Sequence, residues 1–149
     1  LRVISEILAA SPVSPRTNLA PPLEFLNHVV RRRSVAFLIS DFIAPPCDHL
    51  LRVSGRRHDL VSLIIDDKRE SALPPVGLVD FEDAETGRRV WIDTSHAPVR
   101  RALLAAQSSR RADLLRRLRT ARSDAIELHA GEPYDIELVR FFRQREKRR

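Results

Sequence analysis

The sequence predicts an α/β fold: a parallel sheet with crossover helices, plus a β-hairpin. Three observations carry that expectation. Val35–Ile39 is an unbroken apolar run bounded by turn-forming residues, and Leu60–Ile65 repeats the pattern, that of strands buried on both faces. Apolar sets at helical spacing precede and separate them, giving the order helix, helix, strand, helix, strand that parallel sheets require. Two alternating segments, Gly77–Glu82 and Arg88–Asp93, are joined by Asp83-Ala84-Glu85-Thr86-Gly87, the layout of a hairpin.

The elements follow in order. Val3, Ile4, Ile7 and Leu8 recur at helical spacing and open the chain on an amphipathic helix. Ser11-Pro12-Val13-Ser14-Pro15 ends it, because proline blocks continuation and biases its predecessor toward extended geometry. Leu19, Leu23, Leu26 and Val30 mark a second helix, headed by Thr17-Asn18. Pro21 and Pro22 fall in its first turn, where N–H groups have no intrahelical acceptor. Arg31–Arg33 mark its exit into the first apolar run. Pro45-Pro46 and Asp48 open a short helix through Leu50, Leu51 and Val53 to Gly55. After the hairpin, Val99, Leu103, Ala106, Leu114, Leu118 and Ala121 trace a stripe along a long helix. Ala125–Leu128 is a short last strand and Ile136–Phe142 begins a final helix. Residues 143–149 are a basic tail, expected to fray into solvent. With no internal repeat and no low-complexity linker, residues 1–149 are expected to form a single domain.

Composition narrows the function classes. Of 149 residues, 43% are hydrophobic and 31% charged, which suits a globular domain with a real core. No apolar run approaches the roughly 20 residues of a membrane helix. Leu1-Arg2-Val3-Ile4 lacks a signal-peptide layout, and the lone Cys47 cannot form an internal disulfide, so a cytoplasmic location is expected. The net charge of +6 is almost wholly arginine. Solvated surface and a compositional bias account for such an excess as readily as phosphate recognition does.

Few constellations carry chemistry. Thr17 heads the helix preceding the first strand and Asp41 ends that strand. In parallel α/β sheets ligands sit beyond the carboxyl ends of strands, and a hydroxyl converging there with a carboxylate suits a hard cation such as Mg²⁺. The plainer reading makes Thr17 or Asn18 a helix cap and Asp41 a turn former. Asp93-Thr94-Ser95-His96-Ala97 is expected to cap the long helix through Thr94 or Ser95. Cys47, with His49 and His58, could only suggest a hydrolase if geometry aligned them; a small buried hydrophobe is the preferred reading. His28, His49, His58, His96 and His129 have no zinc spacing. Asp66-Asp67 is taken as a solvated turn. Arg100, Arg101, Arg110, Arg111, Arg116 and Arg117 crowd one helix, the footprint of a nucleic-acid-binding domain. These arginines spread around the helix, and Trp91 and Tyr134 are the only Trp and Tyr available for base stacking.

Three stretches resemble one bacterial family: Arg31-Arg32-Arg33-Ser34-Val35-Ala36-Phe37-Leu38-Ile39-Ser40-Asp41-Phe42, Arg56-Arg57-His58-Asp59-Leu60, and Gly77–Gly87. The family is domain of unknown function family 58, the MoxR-associated proteins with a von Willebrand factor type A-like (vWA-like) fold of Rossmann type. The resemblance runs from about Leu1 to the basic tail. It implies a metal-ion-dependent adhesion site (MIDAS) made by an Asp-x-Ser-x-Ser motif, a Thr and an Asp. Thr17 matches the second element and Asp41 the third; the first is expected upstream of Leu1, together with the N-terminal strands. The resemblance therefore implies an incomplete site for Mg²⁺ or Mn²⁺, with no tight binding by this chain, and an unpaired edge on the Val35–Ile39 strand open to self-association. It further implies a non-catalytic protein-interaction domain, accessory to a MoxR-type AAA+ ATPase. The alternatives are nucleic-acid binding through the Arg-rich helix 99–122 and hydrolysis.

Overall fold

In a computed structural model of the chain, residues 2–11, 16–67, 74–82 and 87–147 are described. They form helices α1 (Arg2–Ala9), α2 (Ala20–Val29), α3 (Asp48–Arg57), α4 (Ala97–Thr120) and α5 (Asp135–Glu146), and strands β1 (Val35–Ser40), β2 (Asp59–Asp66), β3 (Leu78–Glu82), β4 (Arg89–Asp93) and β5 (Asp124–His129). The expected Pro-rich stop at 12–15 and the hairpin turn at 83–86 lie outside the described residues.

β1, β2 and β5 make a three-stranded parallel sheet in the order β1-β2-β5, while β3 and β4 form a separate antiparallel pair. β2 is the central strand, and Leu60 through Ile64, Ser62 included, are all buried. One sheet face carries Leu60 and Ile64, which join Leu19 and Leu23 near and within α2, Leu51 of α3, and Leu118 and Ala121 at the end of α4. The other face carries Val61, Leu63, Ile126 and Leu128, covered by Leu138 and Phe141 of α5. Ser62 and Ser123 meet at 2.9 Å inside the sheet, and the Ser123 hydroxyl also reaches the Leu60 carbonyl at 3.3 Å, fixing where β5 begins against β2.

The helix junctions are tight. Gly55 lies where α3 crosses the end of α4, and a Cβ there would stand 1.9 Å from the Ala121 carbonyl oxygen. Only a residue without a side chain fits such a crossing. The chain therefore runs through Gly55 to Arg57, beyond the helix end expected at Gly55.

Three further expectations need correcting. β1 is not buried on both faces: Val35, Phe37 and Ile39 are 53%, 48% and 63% exposed, while Ala36 and Leu38 pack into the core. The strand is apolar like β2, but among the described residues β1 pairs with β2 alone, and α5 meets it at Phe37 through Phe142 while Val35 and Ile39 stay open. The tail does not fray at residue 143: α5 continues to Glu146, and while Arg143, Gln144, Glu146 and Lys147 are exposed, Arg145 turns back onto the sheet to bond Asp59 and Asp124. In α4, Ala106 is exposed, and the apolar stripe is buried only towards Leu114, Leu118 and Ala121. At 24 residues α4 is about 36 Å long, well beyond the length of six-residue β5, and in its first half Val99 and Leu103 are half-buried outside the two core clusters.

Candidate functional site

The carboxyl end of β1 holds the residue pair singled out for cation chemistry. Leu19, two residues after Thr17, and Phe42, directly after Asp41, belong to one apolar cluster, so both loops lie on the same side of the sheet. Asp41 is exposed. Its Oδ1 accepts the Ile43 backbone N–H at 3.0 Å and faces the Ser40 hydroxyl at 3.4 Å. Phe42 has φ of 59°, a left-handed conformation that bulky residues seldom adopt, and the Ser40 hydroxyl accepts its N–H at 3.0 Å. Asp41 thus shapes a turn. Ahead of α2 it is Asn18 that accepts a helix N–H, from Ala20 at 3.0 Å, while Thr17 is half-buried beside it. One carboxylate and one hydroxyl fall short of the six oxygens Mg²⁺ demands. Among the described residues no three His, Cys, Asp or Glu side chains gather as a ligand set, so the residues present do not by themselves fit a divalent ion.

The segment after β4 also departs from expectation. Neither Thr94 nor Ser95 caps α4. Thr94 is fully buried and ties the hairpin's base: its hydroxyl donates to the Gly77 carbonyl at 2.8 Å and accepts the Val76 N–H at 3.2 Å. Asp93 takes the Ser95 N–H at 2.9 Å, which holds its carboxyl below the usual carboxylate range. A partner 17 residues away gives no local signal, so sequence reasoning could only offer the commoner cap.

The arginines of α4 are largely engaged. Arg100 donates to the carbonyls of Thr94 and Ser95, Arg111 meets Glu127 at 2.5 Å, Arg116 meets Asp113 at 2.8 Å, and Arg117 meets Asp48 at 2.5 Å. Arg101 and Arg110 are exposed. Four of the six are thus bonded to different neighbours within the protein.

Cys47 is half-buried against the α2–α3 side of the core, and burial pushes its thiol up, away from the reactive thiolate. His49 is exposed. His58 is buried between α3 and β2; desolvation, with a smaller push from Arg57, lowers its pKa, and neither ring nitrogen has a hydrogen-bond partner. Nearby in the chain, Asn27 Nδ2 donates to the Ser54 hydroxyl at 2.9 Å, a buried polar link between α2 and α3.

The feature missed from sequence is the outer face of β1. In register, Val35, Phe37 and Ile39 stand beside Asp59, Val61 and Leu63. Phe37 meets the Phe142 ring edge-on at 6.3 Å between centroids, and the face beyond it is open. An apolar run announces a strand but not whether its sheet has a further layer.

A model of the family described as "Protein of unknown function DUF58" matches residues 1–113. The chain belongs to this family. Among DUF58-like relatives, an uncharacterized protein of Mycobacterium avium is 32% identical over 140 residues, covering 92% of the chain and 81% of that relative. Uncharacterized proteins of Mycobacterium bovis and Mycobacterium tuberculosis are each 32% identical over 150 aligned positions, covering 99% of the chain. The chain spans 46% of the length of those two. No solved structure matches the chain. Among the described residues no helix is long and apolar enough to cross a membrane.

Proposed function

We propose that this DUF58 chain is a vWA-like, non-catalytic protein-interaction domain, acting beside a MoxR-type AAA+ ATPase. The observation that supports this reading is β1: a strand hydrogen-bonded on one side, with Val35, Phe37 and Ile39 presented to solvent. Exposed apolar strand faces of this kind mark interaction sites, and native edges that stay free are usually blunted by Lys, Pro or a bulge. Val35-Ala36-Phe37-Leu38-Ile39-Ser40 has no such device. Thr17 and Asp41 supply two oxygen donors of an incomplete divalent site, with Asp41 serving as a turn former when no ion is bound.

The test is sedimentation velocity of the chain mixed with a purified mycobacterial MoxR-type ATPase, with and without Mg²⁺. The expected outcome is a complex whose formation Asp41→Ala and Mg²⁺ leave unchanged. Absence of any complex at tens of micromolar would overturn the proposed ATPase association. Tight Mg²⁺ binding that disappears in Asp41→Ala would overturn the incomplete site.

A further inference from the structure

We infer that the amino-terminal end of the three-stranded sheet docks on an anionic lipid surface, through basic side chains brought together from four separate places in the chain. The inference goes beyond the protein-interaction reading and binds through none of the residues on which that reading rests.

Topology gathers the charge. α2, α3 and α4 each lead into a strand of the parallel sheet, so the ends of these helices and the turns after them lie at the strands' amino ends. Arg31, Arg32 and Arg33 stand before β1, and Arg56 stands before β2. Arg119 and Arg122 stand before β5. The end of α5 returns to the same place, because Arg145 bonds Asp59 and Asp124, the first residues of β2 and β5. It brings Arg143 and Lys147 with it. These eight side chains are exposed, and among the described residues none is bonded to a carboxylate. Asp59 and Asp124 are taken by Arg145, which leaves Glu146 as the counter-charge at this end. The excess more than accounts for the chain's net charge of +6. At the opposite end stand Asp41, Asp66 and Asp135, so charge is segregated along the strand direction and favours one orientation on a charged plane.

Helix dipoles explain only part of this. Their pull on cations fades within the last turn, which covers Arg56, Arg119 and Arg143, whereas Arg31, Arg32 and Arg33 lie beyond the end of α2 at Val29. Arg122 has φ of 58° in the left-handed position after α4, where the Ser123 N–H bonds back to the Leu118 carbonyl at 3.0 Å. Glycine usually fills that position, because a Cβ is strained there. Arginine keeps a charge at this end despite the strain. A lipid surface suits the array better than other polyanions. α2, α3 and α4 pack on one side of the sheet and α5 on the other, so the cations spread over a plane instead of along a groove. Nucleic-acid phosphates are often held by helix N-termini and backbone N–H groups, but the helices here present their C-termini. Protein interfaces are depleted of charge at their centre, whereas Arg56 and Arg122 precede the central strand and its neighbour. Guanidinium groups pair well with phosphate, and each basic residue near an anionic leaflet adds about fivefold in affinity. Strands added beside β1 widen the sheet and helices laid over it cover its faces; neither lies across its end.

The test is co-sedimentation of the full chain with vesicles of phosphatidylcholine, alone or with about one-third phosphatidylglycerol. Binding to the anionic vesicles is expected to be about tenfold tighter or more, the margin shrinking as salt rises. Arg31→Glu with Arg33→Glu, and separately Arg143→Glu with Lys147→Glu, are each expected to weaken it about tenfold or more while circular dichroism stays unchanged. Arg101→Glu with Arg110→Glu changes the net charge equally, but about 27 and 14 Å up α4 from Arg119. That pair is expected to leave binding within about twofold of the parent. Arg122→Gly is expected to melt at a higher temperature and yet bind about fivefold more weakly. Equal binding to neutral vesicles, an equal loss in the Arg101 and Arg110 variant, or undiminished binding by Arg122→Gly overturns the inference. Duplex DNA held more tightly than the vesicles at matched salt and phosphate also overturns it, and makes this end a nucleic-acid face.

Discussion

Two residues carry unusual structural demands. Gly55 is required by contact, because any Cβ collides with the Ala121 backbone at the crossing of α3 and α4. Gly55→Ala should lower unfolding free energy by about 2–3 kcal/mol by overpacking, against the helix-propensity gain of about 1 kcal/mol that alanine brings at an unconstrained site; urea unfolding checks this. His58 sets a pH dependence. Burial lowers its pKa below that of the unfolded chain, so the folded protein resists protonation. The sign follows from linkage: stability is fully present above the unfolded histidine pKa of about 6.5 and falls as pH drops through it. Urea midpoints measured between pH 7.5 and pH 5 should decline, and His58→Leu should flatten that decline. A slope that persists unchanged in the variant assigns it to another group. Neither demand was legible in the sequence, where Gly55 looked like a helix end and His58 like one scattered histidine among five. Both depend on atoms that only the fold brings close.

Among the elements, legibility tracked how local the determining forces are. α2 starts where Pro21 and Pro22 allow it, and β3 and β4 pair as the alternation and intervening turn residues required. The run Leu60–Ile65 gave a strand apolar on both faces because it is central. Val35–Ile39 has the same pattern at the sheet's margin, and position in a sheet is set by the whole chain, not by the run. α5 shows the opposite case: its basic end looked solvated, yet Arg145 is held by two carboxylates and lies over the Phe141 ring at 5.3 Å. Arg145→Ala should cost about 1 kcal/mol, since the pair is only partly shielded from solvent. Thermal melts at low and high salt check that figure, and a loss that vanishes in high salt identifies the Coulombic part as dominant.

For the molecule as a whole, charge is abundant but unevenly spent. Four of the six α4 arginines singled out for nucleic acid, Arg100, Arg111, Arg116 and Arg117, bond protein carbonyls or carboxylates. With a net charge of +6, duplex DNA binding should be weak and confined to low salt, falling steeply between about 50 and 200 mM. Filter binding across that range decides the matter: retention at the upper end, lost in Arg101→Ala with Arg110→Ala, would identify a nucleic-acid surface. The hairpin's attachment has a different consequence. Thr94 and Arg100 hold β3 and β4 to the start of α4, whereas the three-stranded sheet is fixed by two apolar layers. A two-stranded ribbon is marginal by itself, so this part should open as its own cooperative unit. Its amides would exchange with solvent deuterium well before those of β2, leaving a chain that can loosen at one corner without unfolding at its centre.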